Sequence, residues 1–262
     1  MSTALITGAS GGIGKAFAEE LAARNMHLVL VARSEEKLNQ LAKYLQEKHN
    51  IQVDIITADL TEPGSTDTVF NTVTQKGLTV DMLVNNAGFG DYGDFTKRDR
   101  ERHLKILQLN VLALVDLTHR FLQGMRLRGS GSIINVSSLS AFQPIPYVSV
   151  YSASKAFILN FSQALWAENK PYGVRVLVVC PGPVETNFFA EAKFPQVLAA
   201  KTSGMSTSEE VVRESLKALE RGYSTVVIGG FSTHFISKFA RFVPRQTLLF
   251  FLEKQFKQNY EL

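Results

Sequence analysis

The stretch "ALITGASGGIGKAFAEELAARN", residues 4–25, sets an apolar run, a glycine-rich turn and an amphipathic run one after another. Gly8, Gly11, Gly12 and Gly14 give the turn a backbone freedom that neither flank has. Such a turn between a strand and a helix brings backbone N–H groups close to an anionic ligand, and the helix N-terminus adds partial positive charge. A tight turn without a ligand would use the same residues. Context separates the two readings: a nucleotide-binding turn follows a strand, opens a helix and begins an alternating chain.

That alternation is present. Apolar runs at 4–7, 27–32, 51–57, 81–85, 132–137, 174–180 and 225–229 read as buried strands, and helix-like segments at 13–22, 35–48, 63–76, 98–126, 149–170 and 208–221 lie between them. Strands alternating with helices imply parallel pairing, right-handed crossovers and helices on both faces. The expected fold is therefore α/β, a doubly wound parallel sheet of about seven strands in one domain. Residues 187–207 form the longest stretch without clear periodicity and read as a lid.

The totals narrow the function. A chain of 262 residues with 45% hydrophobic content can bury a large core. Its single cysteine, Cys180, excludes an internal disulfide framework and a multi-cysteine metal site. His27, His49, His103, His119 and His234 do not pair at metal-ligand spacing, so no metal is expected. Residues 229–262 hold five Lys/Arg and two Asp/Glu, a net +3 out of +4 for the chain. The rest is nearly neutral, which argues against a nucleic-acid partner. Met1 is followed by an apolar strand rather than a basic segment and a long apolar stretch, so a cytoplasmic location is expected.

With the spacing Gly8-x-x-x-Gly12-x-Gly14, the chain resembles the short-chain dehydrogenase/reductase family. The other motifs of that family follow in order over about residues 1–230: Asp59, Asn85-Asn86-Ala87-Gly88, Asn110, Ser138, Tyr151-x-x-x-Lys155 and Pro181-Gly182. The resemblance implies a Rossmann-type domain, a nicotinamide cofactor and hydride transfer at a carbonyl or alcohol carbon. It implies that Gly8, Ser10, Gly11, Gly12, Ile13 and Gly14 cradle the pyrophosphate. It further implies that Asp59 and Leu60 hold the adenine edge, that Asn86, Ala87 and Gly88 line the adenosine ribose side, and that Pro181, Gly182, Val184 and Thr186 meet the nicotinamide.

The second strand separates the two nicotinamide cofactors. NAD-binding chains carry an acid after this strand for the ribose hydroxyls. Here Ala32 holds that position, and Arg33 and Ser34 follow with donors suited to a phosphate. The expected cofactor is NADP(H).

Tyr151 and Lys155 share a helix face, and Ser138 ends a strand 13 residues before Tyr151. Lowering a tyrosine from its reference pKa of about 10 to near 7 takes roughly 4 kcal/mol. One cation about 4 Å away at an effective dielectric near 20 supplies about that much, so Lys155 is expected to lower the Tyr151 pKa. By resemblance, Tyr151 exchanges the proton, Ser138 orients the carbonyl oxygen, Lys155 holds the ribose hydroxyls and Asn110 positions a relay water. Phe89, in the stretch 89–93, is expected to face substrate together with Ser138 and Tyr151. An NADP-binding redox sensor or scaffold without turnover is the alternative, although it would need no proton relay.

Residues 231–262 extend beyond the core of residues 1–230 and read as an amphipathic extension, with Pro244 dividing two helices. Phe235, Phe239 and Phe242 fall at helical spacing beside Lys238 and Arg241. This face is expected to be buried as a lid or in a homodimer or homotetramer. Peripheral contact with a membrane is the other reading. Either suggests a hydrophobic small-molecule carbonyl substrate.

Overall fold

The computed structural model describes residues 2–195, 205–239 and 242–258. Seven strands among these residues form one parallel sheet in the order β3-β2-β1-β4-β5-β6-β7. They are β1 (Thr3–Thr7), β2 (His27–Ala32), β3 (Val53–Thr57), β4 (Met82–Asn85), β5 (Gly131–Val136), β6 (Val174–Pro181) and β7 (Thr225–Ile228). β1 is buried along its whole length, as a strand covered on both faces must be. The doubly wound sheet expected from the sequence is the observed one.

One apolar layer packs α1 (Gly12–Ala23), α2 (Glu35–His49) and α8 (Ser208–Glu220) against the sheet. The opposite layer uses α3 (Ser65–Gln75), α5 (Leu114–Arg128) and α6 (Ser149–Asn169). Strand order reverses between β1 and β4, so the strands' C-terminal ends part there and open a crevice. The glycine turn, Asn86 and Ala87, and the Ser138 and Pro181 segments all follow strands at this edge.

Two features differ from the sequence reading. The segment expected as one helix over 98–126 is α4 (Arg100–Leu107) and α5 joined by a π-helical segment, Gln108–Ala113. Asn110 lies in that segment, buried, and such bulges mark places where a side chain is aimed out of helical register. Within 187–207 there is a short helix, α7 (Phe188–Glu191); residues 196–204 lie outside the described residues.

After β7, α9 (Phe231–Phe239) and α10 (Arg245–Gln258) are split at Pro244, as expected, while Arg241 lies outside the described residues. α9 docks through Thr233. A Cβ at Gly182 or Gly229 would stand 2.7 Å from the Thr233 hydroxyl, so both glycines are needed for this approach. Among the described residues no helix is long and apolar enough to cross a membrane.

Candidate active site

The glycine turn is held by backbone and by two side chains. Asn86 Nδ2 donates to the carbonyls of Thr7 (3.0 Å) and Gly8 (3.3 Å). Thr7 Oγ1 accepts the N–H groups of Asn86 and Ala87, each at 3.0 Å. Thr7 has no distinctive sequence signal, yet it joins the ends of β1 and β4. Gly14 lies so close that a Cβ would run into the Gly8 carbonyl and Asn86 Nδ2. Gly11 has open space beside it, and α1 begins with neither a side-chain cap nor an acid in its first turn. Its first N–H donors therefore face that space, flanked by the half-buried Ser10 and Ile13. A diphosphate fits such a cradle.

Arg33 projects from the end of β2 with 74% of its side chain exposed, 4.0 Å from Asp59. Ser34 caps α2, its Oγ accepting from the Lys37 N–H at 3.4 Å, so its hydroxyl proton remains available to donate. Burial works against the charge of Asp59, but the Thr61 N–H and hydroxyl together with Arg33 and Lys105 hold its carboxyl below the usual range. Leu60 beside it is buried. Thr186 crosses above the turn: its Cγ2 would be 3.1 Å from a Cβ on Gly12. Its Oγ1 accepts the Phe188 N–H at 3.3 Å. Pro181 pairs with Ile228, Gly182 donates to Ile228 at 2.8 Å, and Val184 bridges Ser206.

Across the crevice, Ser138, Tyr151 and Lys155 converge. Ser138 caps a one-turn helix, its Oγ accepting from Ser140 N–H at 3.1 Å. Burial pushes Tyr151 up to about 12, with the Ser138 hydroxyl opposing the rise. Burial pushes Lys155 down to about 8. The expectation that Lys155 lowers the Tyr151 pKa is not met here. The ammonium donates to the Val136 carbonyl at 2.9 Å and lies 5.6 Å from the Tyr151 ring centre. Tyr151 is thus protonated at neutral pH, as an exposed tyrosine also is, and this is the form a proton donor requires. Lys155 retains donors for a second partner.

Asn110 is occupied more fully than expected. It accepts from the Phe89 N–H (3.2 Å) and donates to the Phe89 carbonyl (3.1 Å) and to Ser154 Oγ (3.0 Å). This brackets the Phe89 backbone and leaves one amide-oxygen lone pair for a water. At Gly88 a Cβ would be 3.0 Å from Asn110 Oδ1 and 3.4 Å from Lys155 Nζ, so any larger residue would have to push the Asn110 side chain aside.

An aromatic roof covers the tyrosine. The Phe188 ring lies 5.1 Å from that of Tyr151, and Tyr92, Tyr147, Phe194 and Phe256 complete the apolar cluster. Within the 89–93 stretch, only part behaves as expected. Asp91 turns inward and is gripped by Arg98 (2.7 Å) and Arg102 (2.8 Å), which hold its carboxyl below the usual range although burial works against its charge. Arg102 also donates to the carbonyls of Gly90 (3.0 Å) and Glu191 (2.7 Å) and stands over the Phe89 ring. It thereby ties α4 to α7, which carries Phe188. Neither this ion cluster nor the roof was foreseen from sequence.

A phosphate cradle facing a protonated tyrosine and a buried lysine defines a nucleotide-dependent oxidoreductase of the doubly wound class. The family model described as short chain dehydrogenase matches residues 2–196. The chain belongs to the short-chain dehydrogenase/reductase family and is an enzyme of the kind that acts on CH–OH and C=O groups. It is 36% identical over 222 residues to the very-long-chain 3-oxoacyl-CoA reductase of Mus musculus, covering 82% of this chain and 68% of that protein. It is 31% identical over 231 residues to the 7beta-hydroxysteroid dehydrogenase of Collinsella aerofaciens, covering 85% and 84%. A short-chain dehydrogenase from Sphingobium yanoikuyae, solved in complex with NADPH, superposes with a TM-score of 0.81 at 32% identity, covering 87% of each chain. The NADP(H) reading from Ala32 and Arg33 agrees with the cofactor of that structure.

Proposed function

We propose that this chain is an NADP(H)-dependent carbonyl reductase for an apolar ketone or aldehyde. The observation that carries the reading is the buried Tyr151, with Lys155 Nζ 5.6 Å from its ring centre, beneath an aromatic roof. When bound, the cofactor supplies the hydride for the carbonyl carbon. The N-terminal donors of α1 and the 8–14 turn bind the diphosphate, and Arg33 with Ser34 binds the additional phosphate. Asp59 and Leu60 border the adenine, and Asn86, Ala87 and Gly88 border its ribose. Pro181, Gly182, Val184 and Thr186 flank the nicotinamide.

Ser138 donates a hydrogen bond to the carbonyl oxygen and orients it. Tyr151 gives that oxygen its proton. As the phenolate forms, the Ser138 hydroxyl stabilises it. Lys155 also holds the nicotinamide ribose hydroxyls, and a water on the remaining Asn110 lone pair returns the proton. Phe89, Phe188 and the rest of the roof exclude bulk water and select an apolar substrate. Relatives named as a 3-oxoacyl-CoA reductase and a hydroxysteroid dehydrogenase support chemistry on large ketones and alcohols.

Residues 1–230 carry this site apart from Phe256 of the roof, and 231–262 are an extension of the same domain. Exposed Leu104, Leu107, Leu112 and Phe157 support assembly as a homodimer or homotetramer, which light scattering tests. A turnover screen of apolar ketones and aldehydes with NADPH tests the main reading. Reduction that vanishes in Tyr151→Phe is the expected result. No turnover of any carbonyl by cofactor-bound protein would favour a sensor or scaffold instead.

A further inference from the structure

The first of the two C-terminal helices inverts the usual rule for a surface helix. α9 turns a threonine toward the domain: Thr233 is 4% exposed. Phe231, Phe235 and Lys238 fall on the opposite side of the helix, with Phe239 at the margin of that face. Phe231 is 87% exposed, and Phe242, in the turn beyond the helix, is 70% exposed. The rings form a ladder, with centres 6.4, 4.5 and 6.4 Å apart from Phe231 through Phe235 and Phe239 to Phe242. The sequence expectation that this face is buried as a lid is corrected: it is turned away from the core.

α10 divides its faces differently. Leu248, Leu252 and Phe256 form the inward stripe, and the Phe256 carbonyl accepts the Tyr92 hydroxyl at 2.5 Å. On the outward arc Phe250 shares its side with Lys254 and Lys257, and Phe251 stands beside it, exposed. The described residues of both helices include Lys238, Arg245, Lys254 and Lys257 against a single acid, Glu253.

We propose that α9 and α10 form a docking surface for an anionic lipid membrane, lying in the interface without crossing it. Charge selects this occupant. A second copy packed symmetrically on the same face would bring two net-positive patches together. An anionic headgroup layer matches them, and aromatic rings beside lysines suit the boundary between headgroups and acyl chains. The pattern is that of a monotopic amphipathic anchor: rings outward, cations alongside, and a small polar contact holding the helix to its domain.

The test is co-sedimentation of the full chain with vesicles of phosphatidylcholine alone, and of roughly three parts phosphatidylcholine to one part phosphatidylglycerol. Binding is expected only to the anionic vesicles, and it should weaken as salt rises. The triple variant Phe231→Ser/Phe235→Ser/Phe239→Ser should lower partitioning at least about tenfold. Lys238→Glu/Lys254→Glu, which leaves the rings in place, should abolish the preference for anionic vesicles. Neither variant touches the proposed active site, so reduction of a water-soluble ketone should be unchanged. That activity separates this proposal from the proposed chemistry, which can fail independently. No sedimentation of the parent chain, or equal sedimentation of parent and variants, overturns it. So does a dimer that the aromatic substitutions dissolve while vesicles go unbound, since the face would then belong to a second copy.

Discussion

The two walls of the crevice are built by different means. The cofactor side is mostly backbone, the 8–14 turn and the α1 N-terminus, clasped by the Thr7 and Asn86 side chains across β1 and β4. A Cβ at Gly14 has no place there. The substrate side is side chain: Tyr92, Tyr147, Tyr151, Phe188, Phe194 and Phe256 meet from four separate stretches of chain, and Arg102 ties two of the elements together. A backbone wall recognises what every nucleotide shares and tolerates few alternatives. A side-chain wall can be re-cut for each substrate while the sheet beneath it stays the same.

The comparison breaks most sharply at Tyr151. Tyr151→Phe keeps the packing under Phe188 but removes the proton, so turnover should fall by about 10²–10⁴ with NADPH affinity intact. Single-turnover kinetics beside cofactor titration measures both. A loss of both together would mean that the two walls are not separable.

Next in size is Arg33→Ala on the cofactor wall. A charge-assisted bond to phosphate is worth about 1.5–3 kcal/mol, so NADPH should weaken by roughly ten- to a hundredfold. NADH should change little. Equal losses in calorimetric titration would remove Arg33 from the phosphate site.

Arg102→Leu sharpens the other wall. It unties α7 from α4 while leaving Arg98 on Asp91. The KM for a large apolar ketone should rise about tenfold, with kcat at saturation and the NADPH Kd nearly constant. A fall in kcat alone would show that the latch acts on chemistry rather than on the roof.

The smallest effect expected is on stability. Lys155 is held at about 8 in the fold against 10.5 when exposed. Between those values the unfolded chain binds a proton that the folded chain does not, so this residue's contribution to stability rises with pH. Its burial cost is present in full below pH 8. Relative to Lys155→Met, the parent should gain melting temperature from pH 7 to pH 10. Tyr151 is present in both proteins and cancels from the difference. A constant gap between the two melting curves would deny the desolvation of Lys155.

The helix over 98–126 shows where sequence reading stops. Periodicity carries across 108–113 because the apolar stripe is hardly disturbed, so the π segment leaves little trace in composition. The bulge is set by what Asn110 must reach, the backbone of Phe89, and that target lies on another segment. Asp91 is hidden for the same reason. An acid followed by arginines at 98 and 102 reads as a solvated surface until the fold buries the carboxylate between them.

By itself, the sequence determined the parallel sheet, its crevice, the phosphate turn and the identities of Ser138, Tyr151 and Lys155. The sheet, its crevice and the turn depend on periodicity or on residues close in the chain, which local sterics and hydrogen bonding govern, and the three site residues were implied by the family resemblance. Only the tertiary structure decided the aromatic roof, the Arg102 latch, the upward shift of Tyr151 and the outward turn of the Phe231–Phe242 ladder. Burial and long-range contact set these. A pKa follows the water removed around a group, and the direction an amphipathic helix faces follows what anchors it. Here that anchor is Thr233 fitted between two glycines, Gly182 and Gly229, which lie far apart in the chain.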